Sequence, residues 1–158
     1  MLVRKLDQRL FPLPFLVIGL LAGFVGFRDL IDAHASHEWP QVPGMVTISD
    51  VVREPGHDGV VTYRADVRYV YVVDEVQYSS DRVSFGEFGL SGSARARHRA
   101  DLYPKDSEVM VYYKSTKPGT SILEAGTNGA ILFFPALGLI FSLVGAFLFW
   151  FLPREKRR

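Results

Sequence analysis

Two stretches of this chain carry no charge at all, and they constrain everything between them. The first runs from Leu10 to Phe27 and the second from Ala130 to Leu152. At about 1.5 Å of rise per residue they reach roughly 27 Å and 34 Å as helices, against a hydrocarbon core of about 30 Å. Both are therefore long enough to span a bilayer. A buried core helix does not account for the second, because an apolar run without a polar face needs a larger protein around it. The first also resembles a cleaved secretory signal, with Ala33-His34-Ala35 matching a small-x-small site. Arg28, Asp29 and Asp32 separate the apolar run from that site, so an uncleaved span is the expectation.

The domain boundaries follow. A tail over 1–9 precedes a span over 10–27, a helical extension or linker occupies 28–38, and a β-rich domain covers 39–125. A second span over 130–152 and a basic tail over 153–158 close the chain. The tails hold seven basic and two acidic residues, whereas 28–129 hold eleven basic and fifteen acidic. Arg4, Lys5 and Arg9 flank one span, and Arg154, Lys156, Arg157 and Arg158 flank the other. Basic flanks are retained on the cytoplasmic side, which predicts a bacterial inner-membrane protein with both tips cytoplasmic and 28–129 on the far side. Phe147, Phe149, Trp150 and Phe151 would form an aromatic belt beside the last anchor.

Gly19, Gly23 and Gly26 recur at helical spacing, and Gly138, Ser142 and Gly145 repeat it. Small residues let helices approach closely in lipid, so these faces predict either an internal hairpin or self-association between copies. Neither span contains an ionisable residue, which argues against an ion or proton path.

Between the spans the period becomes two. Val61, Tyr63, Ala65, Val67, Tyr69, Tyr71 and Val73 share one face of a strand, and Thr62, Arg64, Asp66 and Arg68 share the other. Met45–Arg53 reads as a strand before it. Asp74-Glu75 turns the chain into a strand over Val76–Val83, in a hairpin loosened by Glu75, a poor residue for a two-residue turn. A glycine-rich loop spans Phe85–Ser93, Ser93 caps a short helix, and Glu108–Tyr113 forms a further strand. "STKPGTS" is a turn, and Ile122–Glu124 a last short strand. The fold class is two transmembrane helices flanking a small mainly-β domain with one short helix. A five-stranded barrel, OB-like included, and an α+β sheet both fit this order.

Several of these residues carry a resemblance. They are Trp39-Pro40 with Gly44-x-Val46, Tyr69-x-Tyr71 with Tyr78, Tyr103-Pro104 before Val109-x-Val111-Tyr112-Tyr113, and Pro118 before Ile122-Leu123-Glu124. The pattern, over about 39–125, resembles the bacterial family called domain of unknown function 3592 (DUF3592). It departs at Glu75 and Asp106, where a turn glycine is common, and at Lys114–Lys117, where an Asn/Asp-Pro pair is common. The resemblance implies a β-rich module beside one or more spans and implies no activity.

Motifs for chemistry are sparse. Cysteine is absent, so thiol chemistry and disulfides are excluded. His34, His37 and Glu38 are weak candidates for a metal site, and residues at a membrane surface are the plainer reading. No Gly-x-Ser-x-Gly elbow or phosphate loop occurs. Arg95 and Arg99 align on the short helix as a candidate surface for a phosphate-bearing partner. Phe85, Phe88 and Leu90 would form either an apolar docking tip or a plug over one end of the core. The net acidity of 28–129 argues against nucleic acid. The expectation is a non-enzymatic protein without a cofactor, partnered by the bilayer and by another envelope protein or itself. A metal-binding or hydrolytic enzyme using His34, His37 and Glu38 is the alternative.

Overall fold

The alternation over Val61–Val73 sets the core. The computed structural model describes residues 11–55, 61–86 and 92–151. Helix α1 (Leu13–Ala35) ends in a 3-10 turn at Ser36–Glu38. Strands β1 (Gln41–Pro55), β2 (Val61–Val73) and β3 (Val76–Ser80) follow as a meander. Helix α2 (Ser93–Leu102), β4 (Glu108–Lys114) and β5 (Lys117–Ile122) complete the sheet. A 3-10 turn at Gly129–Leu132 leads into α3 (Phe133–Phe151). The chain divides into a helical unit, 1–30 with 131–158, and a sheet unit, 31–130.

The sheet is antiparallel throughout, in the order β3-β2-β1-β4-β5. Val67, Tyr69, Tyr71 and Val73, at period two on β2, bury with Val46 and Val111 into one cluster. The sheet is curled but not closed into a barrel by its named strands. The chain just past β3 meets the chain just past β5 in a parallel bridge, Ser84 with Glu124, and the Leu123 and Glu124 N–H groups donate to the Val83 carbonyl at 2.9 and 2.8 Å. Helix α2 lies between the third and fourth strands in sequence, an order compatible with a partly open Greek-key barrel.

Three local expectations change. Asp74 and Glu75 form a tight two-residue turn after all, with Val73 paired to Val76 and φ of 49° and 64° at the two centres. Positive φ at both central residues is what a two-residue hairpin needs to match the right-handed twist of its strands. Asp106 has φ of 63°, so both sites lacking the family's common glycine are left-handed. Ser93 is the first helical residue and not the cap; Gly92 holds the cap position without a side-chain bond. "STKPGTS" is mostly strand, because β5 begins at Lys117 and Pro118 lies on an edge strand, where a missing N–H does no harm.

The helical unit is a hairpin of two antiparallel helices. Glycine contacts place Gly145 against Leu16, Gly19 against Ser142, Gly138 against Gly23, and Gly26 against Pro135. The rings of Phe15 and Phe141 stack across the pair at 6.1 Å. The small-residue faces are thus occupied by each other within one chain. The outward surface is apolar: Leu20 is 66% exposed, Phe24 64%, Leu139 62% and Trp150 78%. A core helix of a water-soluble protein hides such side chains. Both helices are long and apolar enough to cross a membrane, and this surface points to a membrane protein.

Candidate functional site

The sheet unit commits many of its polar side chains to internal bonds. Tyr69, fully buried, donates its hydroxyl to the Arg82 carbonyl at 2.8 Å and shares a 3.1 Å bond with Ser121 Oγ. Burial disfavours the phenolate and pushes Tyr69 up to about 12. Tyr71, also raised by burial, donates to the Pro118 carbonyl at 2.5 Å and stacks on Tyr78 at 5.7 Å. The two hydroxyls fasten β2 to β5 and to the segment after β3 from inside the curl.

A second group joins α2 to the strand ends. Glu124 Oε1 accepts from Arg99 Nη1 and, at 2.8 Å, from the Tyr103 hydroxyl. A third lies on the outer face of β2. Asp66, only 8% exposed, accepts two bonds from Arg68, at 3.0 and 3.1 Å, and stands 3.9 Å from Arg64, which also bonds Glu54 at 3.2 Å. The Asp66 carboxylate raises the already high Arg68 pKa. A fourth fixes the end of α1 within the sheet unit. Lys114 Nζ is 2.5 Å from Asp32 Oδ1, while Ser36 Oγ donates to the Ala33 carbonyl at 2.7 Å and accepts from the Gly126 N–H at 2.9 Å. Ala33 and Ser36 are fully buried, and Ala33-His34-Ala35 forms the last turn of α1.

His34, His37 and Glu38 are exposed, and a Cβ built on Gly126 would stand 2.8 Å from His37 Nε2. Among the described residues no three His, Cys, Asp or Glu side chains gather as a metal-holding group. Arg95 is exposed on α2, whereas Arg99 turns to Glu124, so the two do not make a joint basic surface. Phe85 is 1% exposed, with Trp39 edge-on at 5.9 Å and the Arg82 guanidinium over its ring at 5.1 Å. Its carbonyl accepts from Asn128 Nδ2 at 2.7 Å. Phe85 is therefore part of the core and not of an exposed tip. Phe88 and Leu90 lie outside the described residues.

Two surfaces went unread in the sequence. The first is a ribbon. β4 pairs with β1 only over Gln41–Met45, and β3 pairs with β2 only over Tyr69–Val73. Past the irregularity at Thr47, Ile48–Pro55 and Val61–Arg68 run on, paired with each other alone among the described strands. Helix α2 supports this ribbon, with Ser49 Oγ donating to the Ala100 carbonyl at 3.0 Å. The second is an apolar part of the outer sheet face: Met45 is 46% exposed, Met110 51% and Val72 54%. The signal for it was present. After Arg68 the outer residues of β2 change from polar to Val70 and Val72, and a strand apolar on both faces is one that something covers on both.

Among curated proteins, none matches this chain. The family described as "Domain of unknown function (DUF3592)" matches residues 42–128, over half of the chain and nearly all of the sheet. The chain belongs to the DUF3592 family.

Proposed function

We propose that this is a non-enzymatic protein of the bacterial inner membrane that holds its sheet domain outside the cytoplasm and works through protein contact, as an accessory subunit, assembly factor or immunity-type protein. The two apolar helices and the basic tails support the placement. The β1–β2 ribbon carries the contact reading. It projects two strands past the rest of the sheet, and its outward edges present backbone N–H and C=O groups with no neighbouring strand among the described residues. Such edges are templates for an added strand from another chain.

The test is a photo-crosslinking residue at Arg53 on the ribbon, in cells, with the same residue at Thr116 in the β4–β5 turn as the control. The expected result is a discrete protein adduct heavier than the 17.8 kDa chain, formed from Arg53 and not from Thr116. An Arg53 derivative that captures no protein overturns the contact reading. Protease added to intact spheroplasts should cleave 28–129; protection there, with cleavage in inverted vesicles, overturns the placement.

A further inference from the structure

The outer face of the sheet is divided along the strands. At one end it carries Asp50, Glu54, Arg64, Asp66 and Arg68, with Ile48 opposite Arg68 and Val52 opposite Arg64 among them. At the other, Met45 pairs with Val70, Pro43 pairs with Met110, and Val72 follows Val70 on the same face. Those five side chains adjoin one another on three neighbouring strands. Glu108, opposite Met45, marks the border.

The apolar end is the end through which the chain enters and leaves. Gln41, the first residue of β1, pairs with Tyr112, and Tyr112 pairs with Ile122, the last residue of β5. Before Gln41 the chain comes from α1, and after Ile122 it goes to α3. Both connections to the apolar helices therefore leave from one row of the sheet, and Pro43 and Met110 occupy the next row on that face. Water on all sides gives no reason for polarity of this sense. A bilayer reached from the entry and exit row does: it removes the near residues from water and leaves the far ones solvated.

We propose that Pro43, Met45, Val70, Val72 and Met110 form a lipid-contacting patch that rests on the bilayer surface. This rests on the membrane reading above and goes beyond it, because it assigns a non-helical surface to the lipid. The residues suit the role: they are aliphatic or thioether side chains on a rigid sheet, ordered without the lipid, so contact costs little conformational entropy.

The chain has no cysteine, so single cysteines label cleanly. Full-length protein in phosphatidylcholine nanodiscs would carry one nitroxide at Met45→Cys, Met110→Cys, Arg53→Cys or Ile140→Cys. Accessibility to oxygen, which concentrates in lipid, is compared with that to a water-soluble nickel chelate. The expected result is an oxygen-to-nickel ratio several-fold higher at 45 and 110 than at 53. Equal ratios at 45, 110 and 53, with oxygen dominant at 140, overturn the patch and leave the membrane reading intact. Nickel dominant at 140 overturns both. Spin–spin broadening between copies at 110 assigns the face to a second copy and overturns the lipid proposal.

Discussion

A methyl group built on Gly138 would stand 2.6 Å from the Gly23 Cα, whereas one built on Gly23 meets nothing nearer than the Gly138 Cα at 4.0 Å. Two glycines that face each other across the helix pair are thus unequal. Gly138→Ala drives backbone against backbone and separates α1 from α3, at a cost of about 1–3 kcal/mol. Gly23→Ala should stay within about 0.5 kcal/mol of the parent. Unfolding of the full chain in mild micelles, followed by helical circular dichroism against a denaturing detergent, measures both. Equal losses would show that the close approach has been misplaced.

Glu75 sits at φ of 64° in a two-residue turn, a conformation glycine adopts at no steric cost. Glu75→Gly should stabilise the sheet domain by about 0.5–1 kcal/mol, even though glycine loses more entropy on folding. The midpoint of chemical unfolding should rise with an unchanged slope. A lower midpoint would mean that the Glu75 side chain contributes a contact worth more than the strain.

Tyr69 titrates about two pH units later in the folded protein than an ordinary tyrosine. Between pH 10 and 12 the unfolded chain loses this proton while the folded chain keeps it. Stability contributed by the neutral hydroxyl is therefore complete below pH 10 and is lost as pH rises toward 12. One pKa unit corresponds to about 1.4 kcal/mol, so the alkaline loss is on the order of 2 kcal/mol. Tyr69→Phe should remove that slope and cost about 1–2 kcal/mol at neutral pH, from the bonds to Arg82 and Ser121. Denaturant midpoints from pH 8 to 11.5 test it; parallel curves for the two proteins would refute the buried-phenol origin of the slope.

What could be read in advance was what depends on neighbours in sequence. Val67, Tyr69, Tyr71 and Val73 announce a buried strand face by their spacing alone, and the two charge-free runs announce the helices. What could not be read depends on residues far apart along the chain. Phe85 stands among glycines, so its surroundings suggest a loop tip; the ring that covers it belongs to Trp39. Arg99 matches Arg95 in helical phase, yet Glu124 draws only one of them inward. Pro118 suggests a turn until the edge position of β5, and the Tyr71 hydroxyl on its carbonyl, show how a strand accommodates it. The apolar outer face was legible in principle at Val70 and Val72, but its extent needed Pro43 and Met110 to be placed beside them by strand pairing.

Gln41 and Ile122 flank the same residue, Tyr112, so two strand spacings, about 10 Å, separate the points where the β module is stitched into its polypeptide. Entry and exit side by side give the β module the layout of a cassette, whose two points of attachment lie close together. A transplanted module would also have to carry Asp32, Ser36, Trp39, Leu123, Glu124 and Asn128, whose bonds and packing close the domain from outside the two strand ends.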